Sequence, residues 1–102
     1  VPLSALPLIH DAVAFAREGI VTGASGRNWA ADGGEVDWPV SAPSWMQALA
    51  SDPQTSGGLL VSCAPDALAQ VLALFAQHGF AQASVVGAAA DKQAAQPMLR
   101  VA

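Results

Sequence analysis

Apolar positions gather in short runs along this chain, and the spacing inside each run differs. Ile9, Ala12, Val13 and Ala16 recur at helical intervals, with Leu8 and Phe15 widening the stripe, which predicts a helix over Pro7–Arg17. Pro7 suits its first turn and Gly19 its C-terminal cap. A second helix opens at Pro43 and runs to Ala48 or Leu49, with Trp45, Met46 and Leu49 on its apolar side, and Asp52-Pro53 ends it because a residue before proline is biased away from helix. The strongest pattern lies in Ala64–His78, where Leu68, Val71, Leu72 and Phe75 form one stripe between Pro65 at the start and Gly79 at the end. His78 near the end of that helix reads as a partner for the helix dipole.

Three further runs read as strands: Leu59–Cys63, Ala83–Gly87 and Met98–Val101, the last preceded by a polar connection over Asp91–Gln96. Leu59-Leu60-Val61 is continuous rather than alternating, so both of its faces are expected to be covered. Residues 22–41 hold Gly23, Ser25, Gly26, Asn28, Gly33, Gly34 and Pro39 with no surviving period, and read as a long loop. Trp29 and Trp38 inside it are expected to pack down on a neighbouring element and pin it. The order of elements predicts an α+β fold, a small mixed sheet with helices packed on one face.

Composition sharpens this picture. Apolar residues make up 53% of the 102 positions and charged residues only 12%, against about a quarter charged in an ordinary domain. The deficit points to apolar surface covered by another domain or subunit. The formal net charge is −4 with four Lys and Arg, so no basic patch for nucleic acid or an anionic membrane can form. No apolar run approaches the length of a bilayer span. A single cysteine, Cys63, forms no internal disulfide, which fits a reducing cytoplasm, and its place on a predicted strand makes it a buried core thiol. Val1-Pro2-Leu3 reads as the tail of a strand or a linker already in progress, so the chain is expected to be part of a longer protein.

Chemistry concentrates in Asp52-Pro53-Gln54-Thr55-Ser56-Gly57-Gly58-Leu59-Leu60. Two readings stand. In one, Asp-Pro starts a tight turn and Gly-Gly permits positive φ before the strand. In the other the loop faces an anion: Thr55 and Ser56 donate hydroxyls, while Gly57 and Gly58 let a phosphate approach the backbone. A Walker-type phosphate loop ends in Gly-Lys-Ser/Thr and this run has no lysine, so charge must be neutralised from elsewhere. His10 and His78 lie apart, no His/Cys/carboxylate cluster suggests a metal site, and Asp52 reads as a turn former rather than a ligand. Arg27 and Asn28 are weak candidates for contacts near an active site.

The same nine residues resemble, at every position, a signature of selenophosphate synthetase (selenide, water dikinase). Leu6-Pro7-Leu8, Gly19-Ile20-Val21, Gly23 and Asn28 resemble the helix and loop before it, and Val85-Val86-Gly87 follows in family order. The resemblance implies an ATP- and Mg²⁺-dependent homodimeric enzyme that makes selenophosphate from selenide, ATP and water, releasing AMP and phosphate. It implies that residues 1–102 are part of a C-terminal domain of the aminoimidazole-ribonucleotide-synthetase type. The N-terminal nucleotide- and metal-binding domain would then be absent. The family's reactive cysteine or selenocysteine, essential lysine and metal-binding aspartates lie upstream, so no catalytic residue and no metal ligand is expected here, and the fragment alone is expected to be inactive. Thr55, Ser56, Gly57 and Gly58 would form a loop facing substrate phosphate, shaped by Asp52, Pro53 and Gln54. The partners implied are the missing domain, a second copy and small-molecule substrates. Thiamine-monophosphate kinase, the hydrogenase-maturation dehydratase and the purine-pathway synthetases share this architecture, and Pro53-Gln54-Thr55 argues against them. A non-catalytic dimerisation module is the remaining alternative.

Overall fold

The computed structural model describes residues 1–91, 93 and 95–102. Lys92 and Ala94, inside the predicted polar connection, lie outside the described residues. Four α-helices, α1 (His10–Arg17), α2 (Gly23–Asp32), α3 (Ser44–Ala50) and α4 (Leu68–Gln77), accompany two short strands, β1 (Val36–Asp37) and β2 (Leu99–Arg100). The fold is α+β as predicted. Its sheet, however, is a two-stranded parallel pair rather than a mixed sheet, with Val36 opposite Leu99 and Asp37 opposite Arg100. The Val101 amide extends the ladder to the Asp37 carbonyl at 2.9 Å. On the far side of β2, Ala102 donates to Val1 and Leu3 donates to Ala102, at 2.9 and 2.7 Å, so residues 1–3 run alongside the chain's last residues.

α1 begins three residues later than its stripe suggested. Pro7 biases Leu6 toward extended backbone, and Ile9 caps the helix with φ −71° and ψ 125°. Both long-stripe helices end as their glycines predict. Gly19 (φ +84°) and Gly79 (φ +89°) take the left-handed conformation just past the C-caps Glu18 and His78. Ile20 donates to the Phe15 carbonyl and Phe80 to that of Phe75, each at 2.9 Å, which closes a Schellman motif at each end. The Phe75 and Phe80 rings meet edge to face at 6.3 Å, supplying the apolar contact that accompanies this motif. All four residues of the α4 stripe are half-buried.

Residues 22–41 do not form a loop. Half of the segment is α2, followed by a 3₁₀ turn at Gly33–Glu35 and by β1. Thr22 is the N-cap: its Oγ1 accepts from the Ser25 amide at 3.3 Å. The two indoles meet each other, Trp29 against Trp38, edge to face at 5.5 Å. Gly33 lies so close beneath Trp29 that a Cβ there would stand 2.8 Å from its ring.

Helix packing runs α1 on α3 and α2 on α3. Arg17 lies over the Trp45 ring, 4.9 Å from its centre. Only Ala16 and Val101 are buried apolar residues, so no closed core forms among the described residues. The radius of gyration is 15.0 Å, against about 13 Å for a compact domain of this length.

Two predicted strands are not formed. Residues 59–63 and 83–87 run without regular pairing, and Leu59 and Leu60 are 82% and 87% exposed. A strand needs a partner to satisfy its amides and carbonyls, and among the described residues neither run has a ladder partner, although residues 1–5 lie beside the second, where Ser84 Oγ donates to Ala5 O at 2.9 Å. Cys63, on the first of them, is therefore exposed rather than buried.

Candidate functional site

The 52–58 loop leaves the end of α3, and its base is firmly held. The Ser51 amide donates to Gln47 O at 3.1 Å, the Asp52 amide to Leu49 O at 3.2 Å, and Ser51 Oγ to Gln47 O at 2.9 Å. These bonds satisfy carbonyls that the helix end would otherwise leave open. Asp52 then turns back to α2. Its Oδ1 accepts from Thr22 Oγ1 at 2.9 Å and from Ser25 Oγ at 3.2 Å. Asn28 Nδ2 donates to Ser51 O at 2.8 Å. Thr22, Ser25 and Asn28 are spaced by three, so one polar face of α2 is bonded to the α3–loop junction.

This seam is the part that sequence reasoning missed. Asp52, expected as a turn former, instead bonds Thr22 and Ser25, 30 and 27 positions away. The signals that could have found the seam were the Thr22 cap preceding α2 and the three-residue spacing of Thr22, Ser25 and Asn28.

Beyond Asp52 the loop opens into solvent. Thr55 and Ser56 occupy a turn, and both they and Gly57 and Gly58 are exposed. Neither hydroxyl is engaged by a hydrogen bond among the described residues. The glycine pair does not use positive φ; among the described glycines only Gly19 and Gly79 do. A Cβ at Gly58 would meet nothing within 4 Å, and one at Gly57 would lie 3.3 Å from Gln54. The fold of this chain therefore places neither a steric nor a φ demand for glycine at position 58. Pro53 and Gln54 are exposed as well.

Beside the seam, α1, α2 and α3 bound an open groove of about 260 Å³. Ala12, Phe15, Ile20, Val21 and Leu49 make it mostly apolar, with Thr22, Ser25 and Asp52 at its polar end. His10 is exposed and faces Asp11 at 3.3 Å, His78 is the C-cap of α4, and Arg27 is exposed. Among the described residues no group of three or more His, Cys, Asp or Glu could hold a metal ion, and no helix is long and apolar enough to cross a membrane.

These features define an open α+β segment that presents a hydroxyl–diglycine loop and bare apolar runs at its surface. Its sequence relatives give the segment a family. The chain is 56% identical over 82 residues to the selenide, water dikinase of Paraburkholderia xenovorans, covering 80% of this chain and 23% of that protein. It is 54% identical over 82 residues to the enzyme of the same name from Pseudomonas straminea, again 80% and 23%. With that of Rhizobium meliloti the identity is 47% over 88 residues, 86% of this chain and 25% of that one. The chain is thus a sequence relative of the selenide, water dikinases, and a match covering 80% of it must take in the 52–60 run that carries the resemblance. It spans about a quarter of the length of the curated relatives it matches. No protein-family model matches the chain, and no solved structure matches it.

Proposed function

We propose that this chain is the C-terminal part of a selenide, water dikinase, an enzyme that makes selenophosphate from selenide, ATP and water and releases AMP and phosphate. The observation that carries the proposal is 47–56% identity to selenide, water dikinases across 80–86% of the chain. In this reading the fold is part of a C-terminal domain of the aminoimidazole-ribonucleotide-synthetase type, and the enzyme is a cytoplasmic homodimer. The N-terminal domain supplies the nucleotide- and metal-binding groups. In the same reading Mg²⁺ would be held by that N-terminal part, through carboxylates and the substrate's own phosphates. When bound, Mg²⁺ would neutralise phosphate charge.

What this chain contributes is positioning. Phosphoryl transfer depends chiefly on holding the phosphates and stabilising their charge. Thr55 and Ser56 offer two exposed hydroxyls, and Gly57 and Gly58 leave the backbone bare for a phosphate to approach. The Leu59, Leu60 and Val61 side chains, 82%, 87% and 50% exposed, are a surface for the remainder of the domain to cover.

Selenide-dependent AMP formation by the intact protein tests the reading. AMP should appear only when selenide, ATP and Mg²⁺ are all present, and the 102 residues alone should form none. An intact protein that phosphorylates thiamine monophosphate instead, or that turns over no ATP with selenide, would overturn it.

A further inference from the structure

We infer that Asp52 is a positioning residue: its carboxylate, gripped by the Thr22 and Ser25 hydroxyls, latches the base of the 52–58 loop to the first turn of α2 and so fixes where Thr55 and Ser56 point. The inference rests on the reading of that loop as phosphate-facing.

The geometry assigns this role to Asp52 in three steps. Each hydroxyl has one proton to give. Thr22 Oγ1 and Ser25 Oγ both give theirs to the same Asp52 oxygen, at 2.9 and 3.2 Å, which leaves their own 3.1 Å separation a contact rather than a bond. Thr22 Oγ1 still accepts from the Ser25 amide, so helix cap and latch are one unit. Ser25 is only 3% exposed, so its hydroxyl needs an acceptor; Asp52 is one at 3.2 Å, and Thr22 Oγ1 at 3.1 Å is the other in reach. The carboxylate also lies at the positive end of the α2 dipole. Asn28 on Ser51 O, at 2.8 Å, makes the attachment two-sided. Only Pro53 and Gln54 lie between Asp52 and Thr55, which keeps Thr55 within about 11 Å of its anchored base.

Asp52→Ala removes the acceptor and leaves the Thr22 cap intact; Asp52→Asn keeps an acceptor oxygen. In the intact enzyme we expect Asp52→Ala to lower kcat tenfold or more and to speed amide exchange at residues 53–58, with Asp52→Asn recovering most of both. Ser25→Ala should give a smaller loss, and should add nothing when combined with Asp52→Ala, because both cut the same latch. Wild-type kcat and wild-type exchange in Asp52→Ala would overturn the inference. So would losses that add in the double variant, since Asp52 and Ser25 would then not act through one latch. A lowered melting temperature with kcat per folded molecule unchanged would reduce the latch to a structural contact and also overturn it. Should Asp52→Ala not fold, exchange at 53–58 in Ser25→Ala decides: faster exchange supports the latch and unchanged exchange refutes it. If the wild-type protein forms no AMP, the functional reading falls, while the exchange comparison still decides whether Asp52 holds the loop.

Discussion

Replacing Gly58 by alanine separates what this fold requires from what a ligand requires. Gly58 does not use positive φ, and a Cβ built on it meets nothing within 4 Å. Alanine there adds no clash and removes freedom from the unfolded chain, so the fold should be unchanged or stabilised by about 0.4–1 kcal/mol. Gly79 provides the contrast. Its Cβ would also meet open space, but its φ of +89° puts an L side chain in the left-handed region, at a cost of about 1–2 kcal/mol. Amide exchange in the intact protein reads both. Gly79→Ala should speed exchange around residues 78–80 by about 5- to 30-fold, the factor that 1–2 kcal/mol represents. Gly58→Ala should leave exchange near residue 58 unchanged or slower. Turnover should rank the two variants in reverse. A methyl group at Gly58 would stand where a phosphate approaches the backbone and should lower selenide-dependent AMP formation tenfold or more, about 1.4 kcal/mol of barrier. Gly79→Ala, at the far end of α4, should turn over as wild type once folded. A Gly58→Ala enzyme that is both stable and fully active would refute the reasoning, because nothing would then need the bare backbone at that position.

Five further outcomes follow from the same geometry. Thr55→Ala with Ser56→Ala in the intact enzyme should lower turnover tenfold or more, about 1.4 kcal/mol, with melting temperature unchanged because neither hydroxyl is bonded within the chain; wild-type kinetics would make the loop an ordinary turn. Gly33→Ala forces its Cβ to within 2.8 Å of the Trp29 ring and should destabilise the α2–Trp38 region by about 1–3 kcal/mol, read as a shift in tryptophan fluorescence and a lower denaturation midpoint. Phe80→Ala removes the edge-to-face partner of Phe75 and should speed exchange at the end of α4 by an amount corresponding to about 0.5–1.5 kcal/mol. Cys63→Ala should leave turnover unaltered. The Cys63 thiol, exposed in this chain, should react with a thiol reagent in the 102-residue chain and far more slowly in the intact enzyme, where the remainder of the domain is proposed to cover residues 59–63; equal rates would argue against that cover.

How far the sequence could be read depended on what each element packs with. α1 and α4 announce themselves because their packing faces are apolar stripes and their ends carry Gly19 and Gly79, whose left-handed φ completes the caps. α3 stops where Asp52-Pro53 requires, and β2 falls inside the predicted Met98–Val101 run. α2 escaped notice because the face it turns to α3 is polar. Thr22, Ser25 and Asn28 bond to Asp52 and Ser51 instead of burying carbon, so a search for hydrophobic period finds nothing, and Gly23 and Gly26 read as loop residues. The runs at 59–63 and 83–87 carry strand composition without strand structure. β-propensity describes how a side chain fits a half-covered pleated surface, and among the described residues neither run is paired into such a surface. Cys63 was misplaced for the same reason. The loop residues Thr55 to Gly58 were legible only as a string; the chain's own contacts give them shape at Asp52 and leave their hydroxyls facing outward.

Exchange of the residue 55–58 amides in the intact protein, measured with and without ATP and Mg²⁺, bears most directly on whether this loop meets a ligand held by polypeptide outside the chain. Nucleotide should slow exchange at those amides while the Phe75–Phe80 cap stays unchanged. If nucleotide slows exchange elsewhere in the protein and leaves residues 55–58 untouched, the loop does not face the phosphates.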